Sequence, residues 1–162
     1  MGKARGADII LYMKIFISSD HAGFELKKYL VERLSLAGHD VRDLGPKEFK
    51  ADDDYPDYVS LVGKEVSHNP SGVRGIVIGG SGQGEAICAN KFYGVRAALY
   101  YGGNMDIIRL SREHNDANVL SLGARFLAPT DALNAVTVWL STPFSSDERH
   151  RRRIQKLFLS GK

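Results

Sequence analysis

The chain has 162 residues, a net charge of +3 and a single cysteine; 43% of its residues are hydrophobic and 25% are charged. That length builds one well-buried domain and is awkward for two. The slight charge makes no case for nucleic acid, no apolar run is long enough to span a bilayer, and the lone Cys88 excludes an internal disulfide, which suits a reducing, cytoplasmic compartment.

Residues 1–12 carry Lys3 and Arg5 but neither an apolar core nor a cleavage site, which argues against a signal peptide. They are expected to form a poorly ordered N-terminal extension, with one domain filling 13–162. Residues 13–18 read as a buried strand. In Phe24–Leu36 the apolar residues Phe24, Leu26, Leu30, Val31 and Leu34 recur at near-helical spacing, and Gly38 supplies a stop. Residues 40–44 make a short second strand. The polar segment 45–57 holds Pro46, Pro56 and the run Asp52-Asp53-Asp54, and reads as a loop. A helix follows at 58–67 and the most apolar strand at 73–78. A short helix at 85–92, a fourth strand at 95–100, a helix at 104–113, a fifth strand at 119–122 and a helix at 131–140 come next. A very basic helix at 147–159 ends the pattern. No internal repeat, low-complexity segment or domain linker interrupts it.

Strands alternating with helices imply right-handed βαβ crossovers. The expected fold is α/β: a Rossmann-like three-layer sandwich around a five-stranded parallel sheet. Ligands in such sheets bind beyond the carboxyl ends of the strands. Asp20-His21, Asp57 and its neighbours, the glycine-rich segment after residue 78, and Gly123-Ala124-Arg125 are therefore expected to converge on one edge.

The glycine-rich segment Gly79-Gly80-Ser81-Gly82-Gln83-Gly84-Glu85 carries the most chemistry. It is not a phosphate-cradling GxxxxGK[ST], since no Lys-Ser/Thr pair follows. Its glycines are out of frame for GxGxxG, and GxSxG fails at Gln83. Glycines let a ligand approach the backbone, and N–H groups at a helix start favour an anion or a developing oxyanion. Glu85 then stands where an acid/base group can work. The plainer alternative, a tight turn with an acid favoured by the helix dipole, is about as well supported by this segment alone.

Three further clusters carry weaker signals. His21 after Asp20 can bind an anion or move a proton, although an Asp cap beside a surface His is the commoner case. His114, in Arg112-Glu113-His114-Asn115, is a second acid/base candidate or simply a helix C-terminal His. Arg149 and Arg153 lie one helical turn apart, an arrangement that suits a phosphate but also a solvated face. Without aromatic interleaving, the cluster does not argue for nucleic acid.

Taken in order, Asp20-His21-Ala22-Gly23, Asp54-Tyr55-Pro56, the glycine segment through Glu85 with Ala89-Asn90-Lys91, Arg112-Glu113-His114-Asn115, and Arg149-His150 followed by Arg153 closely resemble the ribose-5-phosphate isomerase B family. The resemblance runs from about residue 13 to residue 159. The family also includes galactose-6-phosphate isomerase subunits and enzymes of allose 6-phosphate. One of its branches uses a Cys base where this chain has Gly79; the other uses a Glu, matched by Glu85. The resemblance implies Ser81 as support for that carboxylate and loop N–H groups around Gly80, Gly82 and Gly84 as an anion hole. It implies Asp20, His21 and Tyr55 at the substrate, and His114 with Asn115 at ring opening. Arg125, Arg149, His150 and Arg153 fall at phosphate-binding positions. It further implies dimers or tetramers with shared sites, a sugar-phosphate substrate, and no cofactor, metal, nucleic-acid or membrane partner. The expected activity is interconversion of ribose 5-phosphate and ribulose 5-phosphate through a cis-enediolate. The alternatives are a six-carbon aldose phosphate isomerase and a non-catalytic flavodoxin-like phosphate-binding module. Ser18-Ser19 before Asp20, where the family often has Gly, and Gln83, where Asn is frequent, depart from the pattern.

Overall fold

The computed structural model describes residues 12–159, so the expected extension lies, apart from Tyr12, outside the described residues. The elements follow as β1 (Lys14–Ser19), α1 (Phe24–Leu36), β2 (Asp40–Asp43), α2 (Tyr55–His68), β3 (Val73–Gly79), α3 (Gln83–Ala89), β4 (Ala97–Tyr100), α4 (Asp106–Glu113), β5 (Val119–Gly123), α5 (Pro129–Ser141) and α6 (Glu148–Leu159). Every expected element is present with its expected type.

Several boundaries shift by one to three residues, and those of α2 and α3 do so for plain physical reasons. Helix α2 begins at Tyr55, inside the expected loop, with Pro56 in its first turn. A proline there forfeits nothing, because the first helical N–H groups have no intrahelical partner. Helix α3 begins at Gln83 because Gly82, at φ 77°, turns the chain into it, and it ends at Ala89 rather than 92.

The five strands are all parallel, in the order β2-β1-β3-β5-β4. A right-handed crossover fixes which face each helix covers. Chain steps β1→β2 and β4→β5 run one way across the sheet, so α1 and α4 share a face. Steps β2→β3 and β3→β4 run the other way, which puts α2 and α3 opposite. The packing agrees. On one face Ile15, Ile17, Ile76, Ile78, Leu120 and Leu122 meet Leu30 of α1, Ile108 of α4 and Trp139 of α5. On the other, Phe16, Val77 and Val119 meet Val59, Val62 and Val66 of α2 and Ala89 of α3. Truncating one such large side chain to Ala costs about 2–5 kcal/mol.

The chain leaves β1 and β3 in opposite directions, and these strands are neighbours. Their carboxyl ends therefore open a crevice at the switch point of the sheet. The Asp20 amide bonds Ile78 O at 3.0 Å across it. Gly23 is needed there, since a Cβ would come within 2.6 Å of Ile78 Cγ2.

Candidate active site

Strand β3, buried along its whole length, delivers the glycine loop to the crevice. Strand β5 braces the loop: Ser121 Oγ donates to Gly82 O at 2.6 Å, and the Ala124 and Arg125 amides bond Gly79 O at 2.8 Å and Gly80 O at 3.0 Å. The N–H groups of Gly80, Ser81 and Gly82 donate to no backbone carbonyl among the described residues. They remain as donors at a helix start, the setting in which an anion or oxyanion is stabilised.

Glu85 sits in the first turn of α3 and is only 4% exposed. Its carboxylate lies against Gly79, where any Cβ would collide with it. Burial pushes its pKa up, its own backbone N–H pulls the other way, and the negative charge of Asp20 adds to the rise. A carboxyl so placed is a better proton acceptor than a free one.

Around it, Asp20 Oδ1 accepts from the Gly23 amide at 3.1 Å, which fixes the Asp20 side chain. The Tyr55 ring closes on α3: a Cβ at Gly84 would stand 2.7 Å from its Cζ and 2.9 Å from its hydroxyl. The Arg125 guanidinium lies over Gly80, at 3.1 Å from where a Cβ would be. Ser81 Oγ accepts from the Gln83 amide at 3.3 Å, capping the turn that carries Glu85. His21 Nδ1 meets Asp53 Oδ1 at 2.7 Å. Phe49 stands edge-on to the His21 ring, with centroids 6.4 Å apart.

The loop supplying Asp53 and Phe49 is tied down by a buried lysine. Lys27 Nζ, on α1, donates to both Asp43 carboxylate oxygens at 2.8 and 2.9 Å and to Pro46 O at 2.6 Å. Sequence reasoning missed Asp53, Phe49 and this tether. Asp53 was the middle of three aspartates in a polar loop, and only its burial separates it from its neighbours. Asp20, His21 and Asp53 bring one ligand atom each within 4.8 Å of one another. Of these groups, Asp53 Oδ1 and His21 Nδ1 are bonded to each other at 2.7 Å.

Within one chain the structure assembles Asp20, His21, Tyr55, Ser81, Glu85, the loop glycines and Arg125. It does not bring His114, Asn115, Arg149, His150 or Arg153 to them. His114 caps the end of α4, before β5 begins, whereas the glycine loop lies beyond the strands' carboxyl ends. The five residues of β5 alone separate the two ends by about 15 Å. There His114 and His150 pack ring to ring at 4.2 Å, and His150 Nδ1 contacts Ser145 Oγ at 3.2 Å. His150 is buried, while His114, Asn115, Arg149 and Arg153 are exposed. Two guanidiniums hold the turn beneath, Arg112 and Arg96 pairing with Asp116 at 2.7 and 3.2 Å, and a third, that of Arg74, lies close by.

A parallel α/β sheet with a buried carboxylate and free loop amides at its switch point defines a class of protein that works on small anionic ligands. The chain belongs to the Ribose/Galactose Isomerase family, whose model matches residues 15–157. It is 40% identical over 145 residues to ribose-5-phosphate isomerase B of Mycobacterium leprae (strain TN), covering 90% of this chain and 88% of that one. The structure of ribose-5-phosphate isomerase B from Mycoplasma genitalium with bound ribulose-5-phosphate superposes with a TM-score of 0.87 at 41% identity, covering 91% of this chain and 95% of that one. That of the Clostridium thermocellum enzyme gives 0.85 at 41%, covering 91% and 97%. No helix among the described residues is long and apolar enough to cross a membrane.

Proposed function

We propose that this protein is an aldose–ketose isomerase that interconverts ribose 5-phosphate and ribulose 5-phosphate. The observation that carries the reading is the buried Glu85 carboxylate beside unbonded loop amides at the switch point. Glu85 takes the proton from C2 of the open-chain aldose. The electron pair moves into the C1–C2 bond, and the carbonyl oxygen becomes the enediolate oxyanion. Loop N–H groups around Gly80, Gly82 and Gly84 stabilise that charge. A proton then passes from the C2 hydroxyl to the C1 oxygen, the new C2 oxyanion collapses to the carbonyl, and the electron pair of the C1–C2 double bond takes the proton back from Glu85 at C1 to give the ketose. Ser81 holds the turn, while Asp20, His21 and Tyr55 line the sugar and Arg125 meets its phosphate.

The remaining roles require a second copy of the chain. His114 with Asn115 assists ring opening, and Arg149, His150 and Arg153 grip the phosphate, all from a neighbouring subunit of a homodimer or homotetramer. Two observations support this. The groups lie at the end of the sheet opposite Glu85 in their own chain. Helix α4, which leads to His114, also exposes two large apolar side chains, Ile107 and Leu110, beside its Asp106–Arg109 pair. A cytoplasmic location and the absence of nucleic-acid and membrane partners fit a phosphorylated sugar and the lone Cys88.

The test is a coupled assay of the purified protein with ribose 5-phosphate and, separately, allose 6-phosphate. Turnover of the pentose well above that of the hexose is expected. No turnover of either would remove the reading.

A further inference from the structure

One buried group near the site has no part in the mechanism above. The Asp53 side chain is 2% exposed, against 28% for the His21 side chain it touches. Asp53 Oδ1 accepts twice from the same residue, from the His21 backbone amide at 3.1 Å and at the ring Nδ1 at 2.7 Å. Its other oxygen, Oδ2, is buried with no hydrogen-bond partner. A buried carboxylate oxygen without a partner is costly, so the position is held for what Oδ1 does.

The two bonds act together. The amide bond fixes Oδ1 relative to the His21 backbone. The ring bond then fixes the imidazole relative to Oδ1, and Phe49, edge-on at 6.4 Å, closes one side of the ring. A carboxylate only accepts, so Nδ1 must carry the proton in the neutral ring, and Nε2 is left as the free nitrogen. Among the described residues Nε2 has no protein hydrogen-bond partner.

Resting on the isomerase reading of the site, we infer that Asp53 is a positioning residue for His21. It locks the Nδ1–H tautomer and one ring orientation, so that Nε2 is presented to the bound sugar phosphate. Asp53 itself touches no reacting atom. Its carboxylate shape matters more than its charge. An Asn can place its amide oxygen at Oδ1 and keep both bonds, whereas Ala keeps neither.

The expected kinetics follow. Asp53→Ala raises KM for ribose 5-phosphate about tenfold or more, the size expected for one lost hydrogen bond to a charged group, with a smaller change in kcat. Asp53→Asn stays near wild type. In a His21→Ala background, Asp53→Ala has no further effect on KM, because the group it positions is gone. An equal loss from Asp53→Ala in both backgrounds would overturn the inference, since that is how a merely structural residue behaves. So would Asn as damaging as Ala.

A second readout does not need turnover. In the ¹⁵N-labelled ligand-free protein, at a pH where the ring is neutral, the His21 ring nitrogens should show the Nδ1–H tautomer. Asp53→Ala should return them to the mixture of a free imidazole. A wild-type ring in the Nε2–H form would refute the lock even if the enzyme is fully active. A locked ring in a protein that does not isomerise pentose phosphates would leave the lock standing and remove the substrate.

Discussion

The Glu85 carboxylate fills the space that any side chain at Gly79 would need. The two positions are six residues apart, joined by the turn that Gly82 makes possible at φ 77°. A base can therefore reach this point of the crevice from the end of β3 or from the first turn of α3, but not from both. In this chain the glycine is what admits the glutamate.

Gly79→Ala is accordingly expected to displace the carboxylate and cut kcat by about 10²-fold or more, the usual loss for a misplaced acid/base group. Glu85→Gln should abolish isomerisation while leaving sugar-phosphate binding largely intact, measured by calorimetry. Cys88 packs against the core cluster beneath α2 and α3, with its Sγ 3.8 Å from Ser60 Oγ, and Cys88→Ser should leave turnover nearly unchanged. A large loss there in a folded variant would point to a thiol base instead.

The raised pKa of Glu85 makes two pH predictions. The base must be ionised to act, so the acid limb of kcat/KM against pH should lie above the ordinary carboxylate range. Asp20 contributes to the rise after burial. Removing its charge with Asp20→Asn should move the limb to lower pH, whatever happens to the absolute rate. For stability, the native state binds more protons than the unfolded chain between the ordinary and the raised pKa, so unfolding free energy falls as pH rises through that window. Glu85→Gln has no charge to desolvate. It should melt higher than wild type above the window, and the difference should vanish below it.

Asp116 offers a test of the second cluster. It is 30% exposed and pairs with Arg112 and Arg96, whose side chains are 5% and 13% exposed. Arg74 nearby is pushed down to about 10, by burial first and then by the charge of Arg112. With one carboxylate among three crowded guanidiniums, Asp116→Ala should cost about 2–4 kcal/mol in denaturant titrations, somewhat less than for a fully buried pair. It should also weaken catalysis, since Asp116, at φ 45°, ends the turn that carries His114. The exposed pair Arg109–Asp106, at 3.1 Å, is the control. Asp106→Ala should change stability by less than about 1 kcal/mol.

Alternation of apolar strands with amphipathic helices was enough to read the fold, because a parallel sheet buries both faces and leaves little ambiguity of period. The glycine turn and Glu85 were legible because glycine spacing and a carboxylate at a helix start have a local meaning. Tyr55 and Pro56 were read as loop because proline is both a breaker and a first-turn residue, and only packing decides which. Asp53 was illegible for a different reason. Nothing local separates it from Asp52 and Asp54, and its partner, His21, is 32 residues away. Nor could the spacing of His114 and Arg149 reveal that they lie at the end of the sheet opposite Glu85. That separation follows from strand direction.

That separation sets the last prediction. If His114, Arg149 and Arg153 serve a neighbouring subunit's site, catalysis needs an oligomer. Arg149→Ala and Arg153→Ala should each raise KM by about tenfold or more, as expected for a lost charge-assisted phosphate contact. Arg152→Ala, on another face of α6, should not. Arg153→Ala subunits keep Glu85, and Glu85→Gln subunits keep Arg153. If the two are mixed and allowed to exchange, a mixed dimer carries one site with both residues intact and one with neither. Random exchange in a two-fold dimer makes half the dimers mixed, so activity at low substrate should return to about one quarter of wild type. Mixed dimers that form, seen by native mass spectrometry, yet recover no activity would place each complete site within one chain. An Arg152→Ala loss as large as that of Arg153→Ala would make α6 a diffuse basic surface and not a phosphate grip.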